Sequence, residues 1–164
     1  MRKVLREFTA IHRGVILPFA VLPKPHQLAI AWYMSIDGAK WEDLGNMSNV
    51  KSHDELVIDF KKALPEYVKK YGKKKFGTLN IPMSVCQEII MKSRSDLKDD
   101  FKTFMDYHKW YTSYQFNHLK YKNINVWPCI LSDNLNEELF QDGWHRFHRY
   151  VQLKMLSIPC VYYP

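Results

Sequence analysis

The sequence Asp-Gly-Trp-His-Arg at residues 142–146 joins a predicted strand to a predicted helix, and this junction decides the fold. The strand is expected over residues 137–141 and the helix over residues 145–156. Between them, Gly143 lets the backbone turn sharply and approach a ligand closely. Residues 158–163, Ile-Pro-Cys-Val-Tyr-Tyr, predict a closing strand. The end of the chain therefore predicts a strand, a tight turn, a helix and a second strand.

This turn has the features of an anion site. The backbone amides of Gly143, Trp144 and His145 are predicted to lie at a helix N-terminus, where unpaired N–H groups and the helix dipole bind phosphate. Arg146 would add a charge-assisted contact, and the side chain of His145 a further donor. Asp142 would cap the turn or hold a divalent metal ion. The blander alternative is a plain cap at Asp142 and a surface position for Arg146.

Length and composition indicate one globular domain with an extension. The chain has 164 residues, 46% hydrophobic and 25% charged, and 24 basic against 17 acidic side chains give a net charge of +7. This charge favours acidic partners such as nucleic acid, nucleotides or anionic surfaces. Cys86, Cys129 and Cys160 show no CxxC spacing, so we expect neither a disulfide framework nor a zinc site, and a reducing, cytoplasmic setting. The longest apolar run, residues 15–22, contains Pro18, so we expect no membrane span.

The first half of the chain reads as mainly helical. Residues 15–23 predict a buried extended segment, and residues 25–37 fit either a helix or a strand. A capping box at residues 52–55 predicts a helix that Pro65 kinks or ends. The five lysines within residues 69–75 predict a helix end and linker, either a solvated loop or a contact to a phosphate backbone.

The second half alternates strands and helices. Residues 78–85 and 124–131 predict strands, residues 97–110 an amphipathic helix, and residues 132–136 a hairpin turn. Residues 107–116 are dense in aromatic side chains, which either pack against a neighbouring element or stack on bases.

Residues 142–147, followed at the right distance by residues 158–161, resemble the nucleotide-binding signature of the ParB/sulfiredoxin superfamily. The run from 145 to 159 is similar to the sulfiredoxin pattern without a gap, and Lys98 falls where that family carries a lysine that contacts ATP. The resemblance covers about residues 76–164. It implies an α+β fold, a small mixed sheet flanked by helices, to which residues 1–75 add a mainly helical N-terminal extension packing on the core.

The chain differs from the family motifs in two places, and each difference excludes one of the activities known in the family. Sulfiredoxin chemistry needs a cysteine directly before the His-Arg pair, and Trp144 stands there, so sulfiredoxin activity is not expected. ParB proteins carry Gly-Glu-Arg-Arg at this turn followed by small residues, whereas this chain has His148 and Arg149, so partition-type CTP switching is not expected either. The Asp-Gly-X-His-Arg form is most similar to a branch that includes free serine kinases and small proteins of phages and mobile elements.

The resemblance implies a nucleotide-binding protein that uses ATP or CTP with magnesium, for phosphoryl transfer or hydrolysis. Gly143, Trp144, His145, Arg146 and Lys98 would bind the nucleotide, and His145, Asp142 and Glu138 are the candidate catalytic residues. A dedicated metal site is not expected, because no further ligand is evident beside Asp142, His145 and His148. The alternative is a non-catalytic accessory protein that binds nucleic acid or a host protein.

Overall fold

The computed structural model describes residues 2–38, 53–115 and 127–164. These residues form a five-stranded mixed sheet, in the order β1-β2-β5-β3-β4, and seven α-helices. The strands are β1 (Val15–Pro18), β2 (Lys75–Pro82), β3 (Cys129–Leu131), β4 (Phe140–Asp142) and β5 (Ser157–Tyr162). The helices are α1 (Lys3–Ile11), α2 (Lys24–Gly38), α3 (His53–Tyr71), α4 (Met83–Ser93), α5 (Ser95–Asp100), α6 (Phe104–Gln115) and α7 (Trp144–Gln152), and a short 3-10 helix (Phe19–Val21) follows β1.

Strand β5 is the centre of the sheet. It pairs antiparallel with β2 from Ser157 to Tyr162, and parallel with β3, where Cys160 lies opposite Cys129. A parallel pair needs a crossover connection. Here that connection runs through β4 and α7, so the chain passes the 142–146 turn on its way into β5.

Two hydrophobic cores cover the two faces of the sheet, because successive side chains of a strand point to opposite faces. The first core contains Leu79 and Ile81 of β2 and is covered by α1, α4, α5, α6 and α7. The second core contains Phe76 of β2, Ile130 and Val161, and is covered by the 3-10 helix, α2 and α3. The structure therefore confirms an α+β fold with a mixed sheet and helices on both faces.

The N-terminal residues differ from one sequence prediction and decide two alternatives that the sequence left open. Residues 15–23 are buried only in part: β1 is an edge strand whose Val15 is 52% exposed, whereas Phe19 and Leu22, which follow it, are buried. Residues 25–37 form a helix, which was one of the two alternatives. Pro65 does not end α3, which continues to Tyr71. The predicted cap at Ser52 lies outside the described residues.

The C-terminal elements are shorter or shifted. Strand β2 begins and ends three residues before the predicted bounds of 78–85, and α4 starts directly at Met83. The predicted helix over 97–110 is two helices, α5 and α6. Helix α7 ends at Gln152 rather than 156, because Lys154 adopts a left-handed φ of 55° and the Met155 amide donates to the Tyr150 carbonyl, which turns the chain into β5. Residues 124–126 lie outside the described residues.

The described helices include none that is long and apolar enough to cross a lipid bilayer.

We expect Gly77→Ala to destabilise the fold by about 1–3 kcal/mol, the usual cost of overpacking. Gly77 lies opposite Tyr162 in the β2–β5 pair, and an added Cβ would come within 1.9 Å of the Tyr162 ring carbon Cζ. Urea denaturation of wild type and variant measures the cost, with Thr78→Ala as a neighbouring control.

A double-mutant cycle tests the cause. In a Tyr162→Ala background the ring is gone, so Gly77→Ala should lose most of its cost. If the two substitutions are additive, the contact with Tyr162 is not the reason that glycine is required.

Candidate functional site

The turn between β4 and α7 is built around Gly143. Its φ of 98° is left-handed, a conformation that residues with a Cβ adopt only with strain. An added Cβ would also lie 3.1 Å from the Cys129 Cα and 3.1 Å from Arg146 Nη2. Gly143 is the residue that caps α7, and no side chain of the described residues hydrogen-bonds there. The predicted capping by Asp142 is therefore wrong, and the first amides of α7 have neither an intrahelical acceptor nor a side-chain cap.

Arg146 is buried and connects this turn to the residue before β3. Its side chain is 6% exposed, Nη1 donates to the Pro128 carbonyl at 2.5 Å, and Nη2 donates to Asp142 Oδ2 at 2.8 Å. The guanidinium also lies 5.9 Å from the centre of the Trp127 ring. Arg146 is thus not a surface residue. These contacts tie the start of α7 to the start of β3, and a further contact of Arg146 with phosphate remains a prediction.

A row of polar rings joins α7 to α6. Tyr111 Oη lies 2.9 Å from His145 Nδ1, in the first turn of α7. One helical turn further on, the ring of Tyr111 stacks on that of His148, with centroids 3.7 Å apart and planes at 12°. His148 Nδ1 lies 2.8 Å from His108 Nδ1, so one of these two rings donates a proton that the other accepts. The row fixes the position of His145 relative to α6.

His148 is a neutral imidazole in this setting. Burial lowers the pKa of His148 to about 2, and the neighbouring His108 and His145 act in the same direction. Burial also lowers the pKa of His108. His148 Nε2 is buried and has no hydrogen-bond partner among the described residues, so a positive charge on this ring would be poorly solvated.

An aromatic groove of about 460 Å³ lies beside this row of rings. Tyr111 belongs to both, because its ring lines the groove while its hydroxyl contacts His145. Trp110 is 44% exposed at the groove wall, and Arg94 pairs with Asp96 at 3.0 Å. The residues that line the groove are Arg94, Asp96, Leu97, Asp100, Phe101, Tyr107, Trp110 and Tyr111.

The remaining predicted residues have different positions. Lys98 is exposed on α5, the short helix that supplies Asp96, Leu97 and Asp100 to the groove. Glu138 is half-buried, and burial raises the pKa of its carboxyl while nearby Arg94 opposes the rise. The indole of Trp144 packs edge-on against Phe140, with ring centroids 5.1 Å apart. The structure therefore brings residues 142–146 together in one turn. The indole of Trp144 packs against Phe140, and its backbone amide lies in the first turn of α7.

Sequence analysis missed His108 and Tyr111 as parts of the site. The aromatic density of residues 107–116 is the signal in the sequence that points to them. Packing is confirmed for Tyr107, which is buried in the first core, whereas Trp110 lines the groove and base stacking on it stays a prediction. Within the described ranges, no group of three or more His, Cys, Asp or Glu side chains could hold a metal ion.

We expect the protein to lose stability as the pH falls below about 6.5, at about 1.4 kcal/mol per pH unit for His148 alone. The pKa of His148 is lower in the folded than in the unfolded chain, so the unfolded chain binds the extra proton. Its contribution is complete above pH 6.5 and is lost on acidification. Urea denaturation between pH 5 and 7.5 measures the slope.

His148→Phe removes this titration, and its stability should fall less steeply with pH than that of the wild type by about one proton. Arg149→Gln on the same helix is the matched control, since neither side chain titrates in this range. Equal slopes for wild type and His148→Phe would contradict the prediction.

Known proteins give no relative for this chain. No family model, no curated protein and no solved structure matches this chain. The similarity of residues 76–164 to the ParB/sulfiredoxin superfamily consequently stays a prediction.

Proposed function

We propose that this protein binds a nucleoside triphosphate, ATP or CTP, with the phosphates at the 142–146 turn and the base in the aromatic groove. The observation that carries the proposal is the position of Tyr111. Its hydroxyl contacts His145 in the first turn of α7, and its ring lines the groove. The start of α7 and the groove thus meet at one residue, which supports a ligand with a charged end and a flat aromatic end.

The turn supplies what phosphate needs. The amides at the start of α7 carry the positive end of the helix dipole, and the first turn of α7 contains no acidic residue. His145 would donate a hydrogen bond to a phosphate oxygen. Arg146 acts mainly by holding Gly143 in place, because its guanidinium already binds Asp142 and the Pro128 carbonyl.

The groove supplies what a base and its sugar need. Trp110 packs beside Tyr107 and Phe101 and is 44% exposed at the groove wall, where a base would contact its ring; such stacking contributes about 1–3 kcal/mol per base. The carboxylates of Asp96 and Asp100 can accept hydrogen bonds from ribose hydroxyls and would repel phosphate. This charge pattern orients the ligand with its base in the groove and its phosphates toward the turn. Lys98, on the same short helix, would neutralise phosphate charge.

Phosphoryl transfer or hydrolysis is the reaction that these groups support. It depends mainly on positioning and charge stabilisation, which the turn can supply. Glu138 is the candidate general base, and burial raises the pKa of its carboxyl above the ordinary value. Magnesium would enter with the phosphates, and Asp142, half-buried beside the turn, is the nearest candidate ligand.

Two substitutions separate the two halves of the site. His145→Ala should weaken the binding of ATP and of inorganic tripolyphosphate alike, by roughly 10- to 100-fold, because it removes a hydrogen bond to a charged group. Trp110→Ala should weaken ATP binding by roughly 5- to 100-fold and leave tripolyphosphate unchanged, because only the base stacks. Isothermal titration calorimetry with magnesium present measures both ligands.

Arg149→Ala, on the same helix but in its last turn, is the matched control and should bind as the wild type does. Failure of the wild-type protein to bind either ATP or CTP would overturn the proposal. If Trp110→Ala weakened the binding of ATP and of tripolyphosphate equally, the groove would not be part of the proposed site.

A further inference from the structure

Residues 61–75 carry nearly all the excess charge of the chain. This segment contains seven lysines and one glutamate, a net charge of +6, and the whole chain has +7. All seven lysines are exposed. We call them the lysine face: Lys61, Lys62, Lys69 and Lys70 on α3, Lys73 and Lys74 in the turn after it, and Lys75 at the start of β2.

Two of these lysines lie on the side of α3 that is opposite the core. Leu64 is buried in the second core, and Tyr67, Val68 and Tyr71 pack against it, so the opposite side of α3 faces solvent. At 100° per residue, Lys62 and Lys69 lie within about 20° of each other on that solvent side.

The turn after α3 is held in place by backbone hydrogen bonds. The Phe19 amide donates to the Lys74 carbonyl at 2.8 Å, and the Ala20 amide donates to the Gly72 carbonyl at 3.1 Å. The backbone of residues 72–74 is therefore held against the 3-10 helix that follows β1, and the lysines of this turn project from an anchored backbone.

These charges are not neutralised within the part of the chain that the structure describes. No lysine of the face forms an ion pair there. Lys70 Nζ lies 5.1 Å from the centre of the Tyr71 ring, and Lys74 Nζ lies 5.7 Å from that of Phe76. Such rings orient an ammonium group but leave its charge in place.

We propose that the lysine face binds the phosphate backbone of duplex DNA without reading its sequence. Lysine has donors only, which suits phosphate oxygens. Single-strand binders also present rings for stacking, whereas Tyr67 and Tyr71 pack against the second core. Duplex RNA is recognised largely through its 2′-hydroxyl groups, and the exposed side chains of this segment are lysines, Pro65 and Glu66. A regular duplex, with closely spaced phosphates, fits an extended row of point charges.

This surface is separate from the proposed nucleotide site. Helix α3 covers the second core, whereas α6 and α7 cover the first, on the other face of the sheet. It also lies within residues 1–75, outside the stretch that resembles the ParB/sulfiredoxin superfamily. Either proposal can fail without the other.

Fluorescence anisotropy with a labelled DNA duplex of mixed sequence tests the proposal. If about five lysines contact phosphates, log affinity should fall with log salt at a slope of about −4.5, or about 500-fold between 50 and 200 mM salt. Substituting Lys69→Gln, Lys70→Gln and Lys73→Gln together should make this slope shallower by about 2.7. Because these side chains are exposed, the melting temperature should be unchanged.

The matched control removes three positive charges from exposed lysines on or next to the helices that cover the first core: Lys92→Gln, Lys102→Gln and Lys109→Gln. It should keep the wild-type slope. Equal slopes in the two triple variants would overturn the proposal, and so would tighter binding to a matched RNA duplex or to phosphatidylserine vesicles than to the DNA duplex.

Discussion

The structure depends on the burial of β5 on both of its faces. Because β5 pairs with β2 on one side and β3 on the other, it lies inside the sheet, and Ile158 and Val161 point into opposite cores. A strand in this position needs a helical layer above and below it. Helices α2 and α3 supply one of these layers. The N-terminal residues thus complete the fold as well as extend it, since they also add β1 to the sheet.

The same layering separates the two candidate surfaces. The 142–146 turn lies at the end of β4, on the way from the sheet edge through α7 to β5, where Trp144 packs against Phe140 of the first core and His145 contacts Tyr111 of α6. The lysine face lies on α3, across the sheet. Helix α3 and helices α6 and α7 pack on opposite faces of the sheet, so the sheet lies between the two candidate surfaces.

Within the turn, structural and chemical roles are divided among neighbours. Gly143 supplies the left-handed backbone, Arg146 and Asp142 pair beneath it, and His145 projects where Tyr111 holds it. A buried, neutral His108–His148 pair supports this arrangement without placing a charge between α6 and α7. The guanidinium of Arg146 holds the turn together through Asp142 and the Pro128 carbonyl, and its contact with phosphate stays a prediction. Removal of this side chain would be expected to disturb the turn before it could report on ligand binding.

The sequence by itself determined the local geometry at the end of the chain. Gly143, between a predicted strand and a predicted helix, indicates a tight turn, because glycine adopts the left-handed φ of 98° found there without strain. Tertiary structure decided the rest. Pro65 stayed within α3, residues 15–18 became an edge strand, and Tyr111 and His145 met across 34 residues of chain, since each outcome depends on partners that no local pattern specifies.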